Sequence, residues 1–185
     1  MSNAQIMRPI NSNWEIGLRE LCKNVKPIIG ESPTIVELGS YMGESSKIFA
    51  EEFPNSKIYC IDSWESGFDD LDTCSNVNYS FVENEFDKRC SNIKNITKIK
   101  GLSTSVSIEC DLIYIDACHK YECVIDDLNH WTPLVKKIIS GHDYCVNEND
   151  YIRHPHIKGV KKAVDEILGA PDMNFIDWSW FKKIN

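Results

Sequence analysis

Short apolar runs alternate with helical patterns along most of this chain, and that alternation constrains the fold more than any other feature. The runs are "TIVEL" at 34–38, "KIYCI" at 57–61, "ITKIKG" at 96–101, "DLIYID" at 111–116 and "KIISGH" at 137–142. Apolar spacing predicts helices over 43–53, 78–91, 120–132 and 157–168. In the clearest of them Tyr121, Val124, Ile125, Leu128 and Trp131 share one face, with Glu122, Asp126, Asp127 and Asn129 opposite. Pro54, Pro133 and Gly169 punctuate the helix ends. A further helix over 13–26 opens the pattern, capped by Asn13 and closed by Pro27 and Gly30.

Such alternation implies an α/β fold with a parallel sheet covered on both faces. Residues 1–185 are expected to form one domain, with 1–30 as an N-terminal helical segment. The closing "NFIDWSWFKKI" reads as strand or hairpin material. Ligands of such sheets bind beyond the carboxyl ends of the strands. Chemistry-bearing residues stand at those ends: Glu37 to Gly39, Asp62 to Trp64, Gly101 to Ser103, Asp116 to His119 and His142 to Tyr144.

The net charge of −8 argues against a nucleic acid partner, because phosphate contacts need clustered Lys and Arg. Paired lysines such as Lys161-Lys162 are spread among acids and read as solvated faces. No apolar run approaches the roughly 20 residues of a membrane span. The N-terminus lacks a signal-like apolar stretch, which points to a cytoplasmic protein with no membrane partner. The eight cysteines then read as thiols. Cys118, His119 and Cys123 are close enough in sequence to hold a metal, but buried free thiols are the expectation.

The loop Gly39–Gly43 follows the first strand. It is too short for a P-loop and lacks the phosphate-binding lysine, with Glu44 in its place. It has two glycines where a dinucleotide fold uses three, so an NAD(P)-dependent oxidoreductase is a weaker reading. Glu37 at the strand end would repel a pyrophosphate, and it suits a ligand with an ammonium or sulfonium group. Asp62, closing the second strand, can accept hydrogen bonds from both hydroxyls of a ribose. Together they suggest an adenosine cofactor without phosphates, such as S-adenosylmethionine.

With these residues in order, the chain resembles a class I S-adenosylmethionine-dependent methyltransferase over 33–183. "VELGSYMGESS" resembles the superfamily's first motif and "IYCIDSW" its ribose acid. "IYIDACHKYECVIDDLNHW", "IISGHDY" and "KGVKKAVDEIL" resemble methyltransferase domain family 24. One departure is Lys136-Lys137, which stands where those proteins often have a Gly-Gly turn. The resemblance implies a Rossmann-like three-layer sandwich, its mostly parallel seven-stranded sheet having the last strand antiparallel. It also implies methyl transfer, expected here to an oxygen of a small molecule. A fold kept for cofactor binding without catalysis is the alternative.

The resemblance assigns Glu37, Gly39, Ser40, Gly43 and Ser45 to the methionine end of the cofactor. It assigns Asp62, Ser63, Trp64, Leu102, Ser103 and Asp116 to the rest of the cofactor pocket. His119 is the first candidate for a base that removes the acceptor's proton, with His142 or Asp143 the second. Related O-methyltransferases bind magnesium through acids after strands four and five. Asp116 and Asp143 match two of those ligands, while His142 or Tyr144 stands at the third, which magnesium accepts poorly. Residues 63–76 and 146–156 are the expected acceptor loops, "HPH" at 154–156 facing the acceptor without being ligands.

Overall fold

The computed structural model describes residues 12–69, 77–147 and 149–184. Its elements are α1 (Asn13–Ile29), β1 (Thr34–Leu38), α2 (Glu44–Glu52), β2 (Lys57–Asp62), α3 (Tyr79–Cys90), β3 (Ile96–Lys100) and β4 (Cys110–Ile115). There follow α4 (Tyr121–Trp131), β5 (Val135–Gly141), α5 (Asp150–Arg153), α6 (Lys158–Ile167), β6 (Met173–Asn174) and β7 (Trp180–Lys183).

The seven strands lie in the order β3-β2-β1-β4-β5-β7-β6. Strands β1 to β5 pair in parallel, and β7 runs antiparallel to both β5 and β6. Side chains alternate between the two faces of each strand. Ile35 of β1 joins the cluster under α1, α2 and α3, with Leu21, Phe49, Phe86 and Tyr114. Val36 and Leu38 join the opposite cluster, with Leu128 and Trp131 of α4 and Val164 of α6. Helices therefore cover both faces, and the order reverses between β1 and β4, where Gly39 and Asp116 emerge.

Helix α1 runs through Pro27 to Ile29, three residues past the expected stop. Ile29 and Val25 are buried, which holds the last turn in place despite the missing proline N–H. Ser12, not Asn13, caps it, accepting from Glu15 N at 3.5 Å. Lys136 and Lys137 lie inside β5, and a 3₁₀ turn over Thr132–Leu134 makes the connection instead. Part of the expected polar loop after β5 is the short α5, followed by a 3₁₀ turn over Pro155–Ile157. Residues 70–76 of the first acceptor loop, and residues 1–11, fall outside the described residues.

Candidate active site

At the end of β1 the chain turns on Gly39, whose φ of +82° is left-handed. Its N–H donates to Ile61 O at 2.8 Å, so the loop starts as an extension of the sheet. A Cβ on Gly39 would stand 2.0 Å from Asp116 O. Only glycine lets the β1 and β4 ends approach this closely. Gly43, at φ +77°, ends the loop and precedes α2.

Glu37 is fully buried beneath this loop. It accepts from Ser40 Oγ at 2.7 Å and from Ser46 Oγ. Burial pushes its pKa up, against the lowering effect of the Ser45, Ser46 and Ser40 hydroxyls. The strand-end carboxylate expected to meet a cationic ligand is therefore the floor of the loop. Ser46 is a partner that sequence reasoning missed, one position beyond the named Ser45.

Asp62 closes β2. Its Oδ1 accepts from Trp64 N at 2.7 Å and its Oδ2 from Tyr41 N at 2.8 Å. Each oxygen keeps a second lone pair for another donor. Trp64 is inside the core: its ring packs on Phe86 at 5.0 Å between centroids, and its indole N–H donates to Tyr41 O at 2.8 Å. It braces the glycine loop from below. Ser63 accepts from Glu65 N at 3.2 Å. After β3, Leu102 is half exposed, whereas Ser103 turns toward α4, its hydroxyl donating to Asp127 and its carbonyl accepting from Trp131 Nε1 at 3.0 Å.

Asp127 gives a stability prediction. Burial raises its pKa from 3.8 to about 6, outweighing the Ser103 hydrogen bond. A carboxylate whose folded pKa lies above its unfolded one stabilises the fold when protonated. That contribution is complete below about pH 4 and is lost as pH rises to about 6. Above that the buried charge costs about 3 kcal/mol, two pKa units. Asp127→Asn should therefore raise urea-unfolding stability at pH 7.5 by about 2–3 kcal/mol and change it little at pH 4.0. An equal gain at both pH values would refute the raised pKa.

The ends of β4 and β5 make a second cluster. Asp116 N donates to Leu38 O at 2.9 Å and His142 N to Ile115 O at 3.1 Å, so both residues continue the sheet's ladder. Asp143 has φ +62°, a left-handed turn that aspartate tolerates better than most residues. His119 Nε2 lies 3.0 Å from Asp143 Oδ2 and 3.9 Å from Asp116 Oδ1, and its Nδ1 lies 3.2 Å from Asp69 Oδ2. His142 Nδ1 lies 3.1 Å from Asp143 Oδ1 and 3.8 Å from Asp116 Oδ1. Burial alone would lower the His119 pKa, but the carboxylates of Asp116, Asp143 and Asp69 hold it well above the ordinary value. Burial likewise opposes ionisation of Asp143, and the two imidazoles overcome it, keeping its pKa well below the usual carboxylate range. Asp116, His142 and Asp143 each offer one ligand atom, all within 4.8 Å of one another.

The structure thus brings together Asp116, His119, His142 and Asp143. It adds Asp69 and Asp177, the latter 4.0 Å from His142 Nε2. Neither lies in a recognisable motif, and only the folded loop and hairpin carry them to the site. His156 packs edge-on against His119 at 5.3 Å between ring centroids, so "HPH" does reach this side. His154 packs against Trp178. Cys118 and Cys123 are free and half-buried rather than buried. Burial and the neighbouring Cys118 push the Cys123 thiol up to about 12, which leaves it a poor metal ligand.

The strand order, with a glycine loop after β1 and the acids Asp62 and Asp116 at the ends of β2 and β4, is the arrangement of a class I S-adenosylmethionine-dependent methyltransferase. Residues 36–144 match a methyltransferase domain model, and the chain belongs to that family, methyltransferase domain family 24. No curated protein matches the chain. Among solved structures it is similar to one from Staphylococcus aureus assigned as a caffeoyl-CoA O-methyltransferase, at TM-score 0.62 and 15% identity, covering 91% of this chain and 82% of that one. It is also similar to one from Klebsiella pneumoniae assigned as an O-methyltransferase, at TM-score 0.58 and 16% identity, covering 96% and 80%. The N-methyltransferase NodS from Bradyrhizobium japonicum gives TM-score 0.56 at 10% identity, covering 89% and 94%. Likeness at these identities concerns the fold.

Proposed function

We propose that the chain methylates an oxygen of a small-molecule acceptor, with His119 receiving the acceptor's proton. The observation that carries this is the placement of His119, held at one ring nitrogen by Asp69 and at the other by Asp143, above the β4 end. The Asp69 bond fixes the ring so that Nε2 faces the acceptor side. The hydroxyl enters by taking Asp143's place at Nε2. With Asp143 displaced, the imidazolium that the carboxylates hold protonated releases its Nε2 proton to solvent. As the oxygen–methyl bond forms and the sulfur–methyl bond breaks, the hydroxyl proton passes to the vacated Nε2. Alignment of the two groups supplies much of the remaining acceleration.

The glycine loop fits the methionine end. Ser40 and Ser45, held over Glu37, wrap it with Gly39 and Gly43, and the N-terminus of α2 faces its carboxylate. Asp62 takes the ribose and Leu102 covers the adenine, with Trp64, Ser63 and Ser103 as supports. The donor set at Asp116 and Asp143 also fits a divalent ion, which when bound would lower the pKa of an acceptor hydroxyl. Two acceptor-side loops, carrying Asp69 and His156, suit a small ligand, and the net charge of −8 disfavours nucleic acid. Seven free thiols among the described residues suit the reducing cytoplasm, and no helix among them is long and apolar enough to cross a membrane.

Calorimetry with S-adenosylhomocysteine and with NAD, at equal concentrations, tests the cofactor. S-adenosylhomocysteine should bind, NAD should give no heat, and Asp62→Ala should weaken the former by about tenfold to a hundredfold, the loss of charge-assisted hydrogen bonds. Binding of NAD alone would overturn the reading.

A further inference from the structure

His142 occupies the third corner of the Asp116–Asp143 pair. We propose that His142 is a ligand of a divalent-ion centre with those two carboxylates, that Asp177 positions it, and that the centre selects a borderline ion over magnesium. The proposal rests on the methyltransferase reading for the place of the site, and its test reads the ion without turnover.

Geometry comes first. Ligands about 2.1 Å from a shared ion stand roughly 3–4 Å from each other. Here Nδ1 of His142 is 3.1 Å from Asp143 Oδ1 and 3.8 Å from Asp116 Oδ1. The ligands come from adjacent strand ends, and His142 is pinned at both backbone groups: its N–H bonds Ile115 O, and its carbonyl accepts from Trp180 Nε1 at 3.2 Å. His119 bonds the other oxygen of Asp143, leaving Oδ1 toward His142.

The second observation is the far side of the ring. A metal-bound imidazole usually turns its other nitrogen to a carboxylate, which sets its orientation. Nε2 of His142 lies 4.0 Å from Asp177 Oδ2, ion-pair distance rather than a hydrogen bond, so a small turn of either side chain closes it. Asp177 is itself held, accepting from Ser179 N at 3.1 Å and Ser179 Oγ at 2.7 Å. Helix α1 leaves room for it only because residue 17 is glycine; a Cβ there would stand 2.0 Å from Asp177 Oδ1. Charge balance points the same way: Asp69, Asp116, Asp143 and Asp177 face two imidazoles, an excess of carboxylate that favours a cation.

Ion identity follows from the donors. Magnesium takes oxygen ligands almost exclusively, whereas an imidazole with two carboxylates suits iron(II), cobalt(II), nickel(II) or zinc(II). Cobalt(II) is the probe, because its visible spectrum reports ligand type. Metal-stripped protein, without cofactor or acceptor, is titrated with cobalt(II) and with magnesium by calorimetry and absorbance. One cobalt(II) should bind, with magnesium about tenfold or more weaker. Asp177→Asn should weaken cobalt(II) by about 10–100-fold and leave S-adenosylhomocysteine affinity unchanged. His142→Asp should reverse the preference. Equal affinities in the unaltered protein, no bound ion, or an unchanged preference in His142→Asp would each overturn the proposal. So would a cobalt–thiolate band lost in Cys118→Ser, which would place the ion on the thiols. Cobalt(II) binding without S-adenosylhomocysteine binding would sink the methyltransferase reading and leave the ion centre standing.

Discussion

Replacing His119 by alanine is expected to lower turnover by about 10²–10⁴-fold, the usual contribution of a positioned general base. The assay follows S-adenosylhomocysteine release with a set of small phenols and sugar alcohols. Affinity for S-adenosylhomocysteine should stay within about twofold of the unaltered protein, because His119 meets Asp69, Asp116 and Asp143, on the proposed acceptor side. The split separates a role in chemistry from a role in cofactor binding. Alanine also removes a shared partner from Asp69 and Asp143, and stranding buried carboxylates can unfold a protein. His119→Gln guards against that outcome, since its amide can still donate to one carboxylate but cannot take a proton. If both variants fold, bind S-adenosylhomocysteine and turn over normally, His119 is not the base. If both lose cofactor affinity with activity, His119 shapes the pocket instead.

The order of strands and helices was readable because β1, β4 and β5 are buried along most of their length, and β2 along half of its own, and each reads as an apolar run. Asp116, His119, His142 and Asp143 were visible because β4 and β5 end where their apolar runs end. Other features depend on contacts far apart in sequence. Asp177 reaches His142 only when the hairpin folds onto β5, and Asp69 reaches His119 across 50 residues. Glu37 shows the limit of reading a charge by position alone. A carboxylate at a strand end can point to a ligand or be buried under its own loop, and the choice depends on Ser40 and Ser46 folding over it. Trp64 is similar: its place after Asp62 suggested an aromatic beside the adenine, but with a backbone φ of +46° its ring packs inward on Phe86. Such left-handed turns at non-glycine residues leave little trace in sequence.

Gly39→Ala is expected to be the most damaging single-methyl change in the chain. A left-handed backbone costs an alanine about 1–2 kcal/mol. The added carbon would also meet the Asp116 carbonyl at 2.0 Å, an overlap with rigid backbone at the junction of β1 and β4. Relieving it adds about 1–3 kcal/mol, the usual cost of overpacking. Urea unfolding should therefore show a loss of about 3 kcal/mol or more. The relief must move Asp116 or the glycine loop, so both halves of the site shift together. S-adenosylhomocysteine affinity should fall by about tenfold or more, each factor of ten being about 1.4 kcal/mol. Gly169→Ala is the matched control: its φ is +72°, but nothing lies within 4 Å of the added carbon. That variant should lose only about 1–2 kcal/mol and keep its cofactor affinity. Equal losses in the two variants would mean that backbone strain alone accounts for Gly39. A larger loss at Gly39, accompanied by weaker cofactor binding, would establish that the contact between the β1 and β4 ends couples the stability of the sheet to the geometry of the site.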